Sequence, residues 1–452
     1  MIAWLRKHYE GKGGYKDILS IAVPLMGSML SITFMEFTDK LLLGHYSIFA
    51  MAAVGPASMA HLLFLVTFNN ILGFAGIIIA QYIGEGSHTK VGIIFWQSVW
   101  IALFCSLFLF GLAFISEFLF TITKQPVDLI PLEREYFDTL CIFSIIPLLN
   151  NACIAFYSGR GKTAIVSVAI ITAGVVNIPF NYILINGLFG FPQLGIRGAA
   201  IATIVAWLVE LCILCAGMCR KKEDKEFHLI KGICLDIPIL RRTLIYGIPS
   251  GLYSFLELLG VTIFLFLVGV LGPLEIATIN VTFSLDLFGY LPIMGLSIAL
   301  SIITGRSIGE KNTPIIKRAF IHSIQLMAVW RLIMSVLFLT MPYTLFMLII
   351  SSSDSVETKT ILSYAPAMLS LCVGNGFIDG LMLMCIAILK GYSQTFYSMI
   401  VMFLCVLIAE TLPMALLLYF GLADMYTLWI FFVLYKIVAT IFFYGKIRKL
   451  PM

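Results

Sequence analysis

Gly247-Ile-Pro-Ser-Gly-Leu-Tyr-Ser-Phe-Leu-Glu257, continued by apolar residues to Leu271, is the stretch whose reading decides the fold. About 20 apolar residues, rising 1.5 Å each in a helix, cross a hydrocarbon core of about 30 Å. The stretch therefore reads as a transmembrane helix with Glu257 near its middle. A lone acid at that depth costs about 2.5–3.5 kcal/mol on insertion scales, so it should face a hydrated, protein-lined interior with something to bind. Asp39 and Asp379 are two further acids of this kind. For each, the plain alternative is a structural hydrogen bond to a neighbouring helix.

Outward from that helix, the whole chain repeats its character. Its 452 residues are 60% hydrophobic and 12% charged, with a mean hydropathy of +1.02. That composition excludes an ordinary soluble globule and marks a polytopic membrane protein. Twelve spans can be drawn, at about 17–43, 49–80, 91–118, 135–157, 163–186, 196–219, 241–270, 276–303, 315–345, 361–388, 394–420 and 424–447. Barrel strands would alternate over about ten residues, and that pattern is absent. The net charge of +5 sits in short loops and implies no nucleic acid. The polar, basic first 16 residues and the long first apolar segment give no cleavable signal pattern. Cys212, Cys215 and Cys219 lie on an apolar helix without a second ligand pair, so neither a metal cluster nor a disulfide framework is expected.

Orientation follows from Lys and Arg. The N-terminal segment, alternate loops and C-terminus carry 22 of the 29, the opposite loops carry 4, and Lys40, Arg331 and Lys436 fall within spans. The asymmetry places both termini in the cytoplasm. The halves also match in register. At an offset of 225, Pro24 meets Pro249, Gly44 meets Gly269, Ala52 meets Ala277, and Ile83-Gly-Glu85 meets Ile308-Gly-Glu310. At an offset of 232, Cys153-Ile-Ala155 meets Cys385-Ile-Ala387 and Thr163 meets Thr395. Six spans per half make the repeats parallel. The expected fold is thus an all-α polytopic membrane protein, with twelve transmembrane helices in two parallel six-helix repeats around a central cavity. The N-terminal lobe would be 1–219, a charged cytoplasmic connector 220–240, and the C-terminal lobe 241–452.

The residues that could carry chemistry are intramembrane acids and amides. In span 1, Glu36 shares a helix face with Asp39 and Lys40. Asp39 is the leading candidate for the functional acid and Glu36 a second candidate, as a substrate residue; the plain alternative pairs Glu36 with Lys40. In span 5, Asn177-Ile-Pro-Phe-Asn181 puts two amides on one face, and Pro179 frees backbone carbonyls. Asn between packed helices is otherwise ordinary interhelical glue. In span 10, Asn375 lies one turn before Asp379, so both can present oxygens to one point. Asp286 is the next acid to test, whereas Glu210 and Glu410 read as lying near span ends. Carboxylates from different helices suit Na⁺ or a carried proton. No His-Glu-x-x-His, phosphate loop or nucleotide domain is present, so an ion gradient, not ATP, should drive the chain.

These residues resemble the multidrug and toxic compound extrusion (MATE) transporters, particularly the NorM-like branch, over nearly the whole chain. The resemblance rests on Pro24, Phe37-Thr-Asp39 with Gly44, and Ala80-Gln81 with Gly84. It continues through Gly195-x-x-Gly-Ala-Ala-x-Ala-Thr203, Gly247-x-Pro249 with Glu257, and Asp379 followed by Leu389-Lys-Gly-Tyr392. It implies a Na⁺- or H⁺-coupled antiporter exporting amphipathic, often cationic compounds. It also implies that Glu257, Asp379 and Asp39 handle the coupling cation. Archaeal-type members carry Asp at the place of Asn181, and that departure favours the Glu257–Asp379 site over one built only in the N-terminal lobe. Lys40 beside Asp39 is a second departure. The expectation is a monomer in the cell inner (plasma) membrane, with no cofactor and no metal beyond Na⁺ at Glu257 and Asp379. The competing readings are a flippase of lipid-linked saccharides, which should line its cavity with cations, and an intramembrane enzyme, which needs a catalytic constellation.

Overall fold

The computed structural model describes residues 9–122, 126, 128–219, 226–229, 232–350 and 356–451. Lys124 and the charged run 220–225, both used in the topology argument, lie outside them.

The order of helices is α1 (Tyr15–Tyr46), α2 (Ile48–Gly84), α3 (Thr89–Ala113), α4 (Ser116–Ile122), α5 (Ile130–Ile142), α6 (Ile145–Gly159), α7 (Thr163–Asn186) and α8 (Gly195–Met218). It continues with α9 (Ile237–Gly269), α10 (Pro273–Gly309), α11 (Pro314–Thr340), α12 (Pro342–Met347) and α13 (Val356–Gly391). Then come α14 (Thr395–Leu404), a π-helical segment Cys405–Thr411, α15 (Leu412–Tyr419) and α16 (Met425–Ile447). Among the described residues, eleven helical segments are long and apolar enough to cross a membrane, and the bent pair α5–α6 makes a twelfth.

The 225-residue repeat is visible in the helix ends. α2 and α10 are each 37 residues long, begin and end 225 residues apart, and are capped by Glu85 and Glu310 in the same right-handed conformation. The span drawn at 135–157 is not continuous: α5 and α6 meet at 47° across Phe143 and Ser144. Pro147 explains the break, because it has no N–H for the carbonyl of Phe143 four residues back. Pro413 acts similarly on the eleventh span. It cannot bond to the carbonyl of Ala409, and the helix widens to π geometry just before it.

Two compact units emerge, Pro24–Gly251 and the remainder (Met1–Val23 with Leu252–Met452). The division falls inside α1 and α9 and not at the 220–240 connector where the sequence reading put it. Short-range contacts give the reason. The start of α1 is tied into the C-terminal unit by Arg306 to Asp17 at 2.6 Å and by Gly13 accepting from His322 at 2.9 Å. The start of α9 is packed into the N-terminal unit, where a Cβ on Gly251 would lie 2.6 Å from the Thr67 carbonyl. The described part of the connector folds onto α3, with Trp96 donating to the Leu229 carbonyl at 2.7 Å and Gln97 to that of Cys234 at 2.8 Å.

Within the N-terminal unit, α7 lies along α8, and α2 along α6. Small residues make this possible in lipid, where helices associate by close packing. A Cβ on Gly198 would stand 2.7 Å from the Leu184 backbone, which is why Gly195-x-x-Gly-Ala-Ala faces α7. Within the C-terminal unit, α10 and α13 form the most extensive pair, and α16 packs on α13 and the π segment.

Candidate functional site

The candidate residues gather at two places, one in each unit. In the N-terminal unit, α1 carries Asp39 to a buried position facing α7. Asn181 Nδ2 donates to Asp39 Oδ1 and, at 2.8 Å, to Asn177 Oδ1. The 177 and 181 spacing stacks the amides one above the other, as the sequence implied. Thr203, on α8, brings its hydroxyl to the same carboxylate. Oδ1 of Asn181 and Nδ2 of Asn177 have no hydrogen-bond partner among the described residues. A carboxylate, an unused amide oxygen and a hydroxyl form a hard-oxygen donor set of the kind alkali cations take, and the carboxylate alone can hold a proton.

Beside this cluster opens a cavity of about 440 Å³, lined by Glu36, Asp39, Lys40 and Glu210 together with Met35, Met59, His61 and Trp207. Glu36 and Lys40 are both exposed. Lys40 acts on Glu36 through its field, but the two close no ion pair among the described residues, which speaks against the plain alternative. Glu210, read as a span-end acid, sits well inside α8 with 8% exposure, beside Asn150. Asn150 in turn donates to the Trp207 carbonyl at 3.0 Å. Three carboxylates and one lysine, among neutral polar, apolar and aromatic side chains, give the pocket a net acidic lining.

The C-terminal unit handles its charges differently. Asp379, on α13, is buried against Lys436 of α16, with Nζ 3.1 Å from Oδ1. Asp286, on α10, is paired with buried Arg331 of α11 at 2.7 Å. Gly376 and Gly289 leave the guanidinium room, since a Cβ at either would lie within 2.6 Å of it. Glu257, on α9, is within electrostatic reach of Asp379, Lys390 and Lys436. Asn375 is buried one turn from Asp379, with its Oδ1 unpartnered. Glu410 is completely buried on the π segment. The sequence reading placed Lys436 and Arg331 within spans without naming partners, and each is the partner of an acid on another helix. It also placed Glu410 too near a span end. The Glu410-Thr-Leu-Pro413 pattern was the available signal, because a proline three residues on disturbs the helical phase there.

Buried acids on many apolar spans, set in a repeated helical fold, define a polytopic membrane transporter and not an enzyme. The MatE family model matches residues 24–183 and 249–415, and the chain belongs to that family. Its sequence is 27% identical over 303 residues to a probable multidrug resistance protein NorM of Thermotoga maritima, covering 66% of this chain and 64% of the relative. It is 24% identical to a NorM relative of Rhizobium meliloti, covering 85% and 83%. Against the multidrug resistance protein MdtK of Yersinia pseudotuberculosis it is 25% identical, covering 84% and 82%. The fold also matches a solved outward-facing multidrug resistance MATE family transporter at a TM-score of 0.87 and 20% identity, covering 98% of this chain and 97% of that one.

Proposed function

We propose that this chain is a cation-coupled antiporter that exports amphipathic, often cationic drugs and toxic compounds by alternating access. It would work in the cell inner membrane with both termini cytoplasmic. The observation that carries the reading is Asp39: a buried carboxylate in a cradle of amide and hydroxyl groups, at the wall of a 440 Å³ cavity. The NorM and MdtK relatives, which are multidrug resistance proteins by name, agree with it. In this reading Asp39 takes Na⁺ or a proton from outside. Its neutralisation weakens the pull of the cavity on a cationic substrate, and by linkage the substrate weakens the pull on the ion. Glu257 and Asp379 form a second cation-responsive pair, reached only when Lys436 leaves Asp379. The acidic lining speaks against a saccharide flippase, whose pyrophosphate cargo needs cations.

The test is efflux of a fluorescent lipophilic cation from proteoliposomes under imposed Na⁺ and pH gradients, applied separately. One gradient should accelerate efflux and the cargo should in turn drive ion movement. Efflux indifferent to both gradients would remove the antiport reading.

A further inference from the structure

Glu410 is a carboxylate of the C-terminal interior that has neither a hydrogen bond nor an ion pair among the described residues. It is fully buried, and both of its oxygens lack a partner. Its position is built, not incidental. An α-helix turns about 100° per residue, so the wide turn of the π segment changes which side chains of this span point inward. Opposite the carboxylate, α9 presents Gly260, where a Cβ would lie 2.9 Å from Oε2. The span therefore spends its irregular turn, and α9 its missing side chain, on holding an acid that nothing satisfies. Buried acids left so are costly.

The charge whose field acts on Glu410 is Lys436, and in this structure Lys436 is given to Asp379. Its ammonium also lies over the Phe432 ring, 4.3 Å from the centroid, so its surroundings tolerate a cation away from any one carboxylate. α16, which carries Lys436, packs on both α13 and the π segment, the helices of its two acids. On α16 itself, Tyr435 OH and Trp429 Nε1 are buried donors without partners, as though arranged for another pairing. Glu257 has its own cationic neighbour in Lys390, leaving one ammonium for two carboxyls.

We infer that Lys436 is a tethered cation shared by Asp379 and Glu410: a transported monovalent cation arriving at Asp379 displaces it to Glu410, and its return to Asp379 expels that cation. Glu410 is then a positioning residue: it touches no substrate but gives Lys436 somewhere to go. With Na⁺ no covalent bond forms or breaks, with H⁺ the Asp379 carboxylate takes the incoming proton, and in both cases the ammonium charge of Lys436 passes from one acid to the other. This deepens the antiport reading of Asp379, but its first test does not depend on transport.

That test is a double-mutant cycle on the purified full chain, read as thermal unfolding midpoints in detergent. Glu410→Gln alone should leave the midpoint unchanged or raise it, because it removes an acid with no partner. In an Asp379→Asn background the same change should lower the midpoint by about 3 °C or more, because Lys436 then relies on Glu410. With Lys436→Met added, the difference between the two backgrounds should vanish. An equal shift in both backgrounds, in either direction, overturns the proposal. A second readout needs no change at Asp379. In proteoliposomes, Glu410→Gln should slow gradient-driven efflux about tenfold while leaving KM for substrate unchanged, a split that a purely structural role would not give. Normal efflux by Glu410→Gln would likewise overturn it.

Discussion

The two units hold buried acids in opposite ways. The N-terminal unit surrounds Asp39 with amides and a hydroxyl and opens it to a cavity where Lys40 is the only lysine against Glu36, Asp39 and Glu210. The C-terminal unit supplies its acids with resident cations, Arg331 for Asp286 and Lys436 for Asp379. The repeat gives both units one helical plan, yet the acids do not occupy equivalent positions. Asp379 corresponds to Pro147, Glu257 to Ile32, and Asp39 to Phe264. A shared scaffold thus carries an open cation cradle on one side and a self-neutralised network on the other. Neutral amides hold a carboxylate without competing for the incoming ion, whereas a lysine must first be displaced.

The comparison breaks most severely at Arg331. Arg331→Met leaves Asp286 charged and alone in the interior, which should cost about 3–5 kcal/mol. Adding Asp286→Asn should recover most of it, and unfolding midpoints in detergent would show both. On the antiport reading the charges of the N-terminal unit serve the cargo, so Glu210→Gln should weaken binding of a monocationic substrate about tenfold, or about 1.4 kcal/mol. Binding of a neutral analogue, measured by the same fluorescence titration, should hardly change.

Asp424, at the water-exposed start of α16, is a third kind of acid. Its carboxyl accepts from the Thr427 hydroxyl and, at 2.6 Å, from the Thr427 N–H, and its own backbone N–H donates back to Thr427 Oγ1 at 2.9 Å, closing a capping box. Those two bonds, the hydroxyl's foremost, hold it below the usual carboxylate range. Its stabilisation is therefore present above the unfolded value of about 3.9 and lost as pH falls through the lower folded value. Asp424→Ala should cost about 1 kcal/mol at neutral pH, and its midpoint should converge on the unmutated protein's in acid. The smallest effect belongs to Lys40→Met, below about 1 kcal/mol in stability, because Lys40 and Glu36 are exposed and form no ion pair.

Much of the plan was legible in the sequence for a physical reason. A span needs its apolar length, so α7, drawn at 163–186, is found at Thr163–Asn186. The Asn177–Asn181 face was legible too, because four residues make one helical turn. What could not be read was anything that crosses helices or shifts phase. Lys436 and Asp379 are 57 residues apart, and Arg331 and Asp286 45 apart, with no local pattern to join them. Thr203 was visible only as part of a small-residue motif. The π turn hid Glu410, since a regular period puts that residue elsewhere on the helix.

The account stands or falls on which acid couples ion to cargo. Asp39→Asn and Asp379→Asn, reconstituted at matched density, should be compared for efflux of a lipophilic cation under whichever gradient drives the unmutated protein. The account predicts that Asp39→Asn loses the acceleration by that gradient outright, whereas Asp379→Asn, like Glu410→Gln, slows efflux about tenfold but still responds to the gradient. Gradient-driven efflux that survives in Asp39→Asn and disappears in Asp379→Asn would contradict it and move the coupling site to the C-terminal unit.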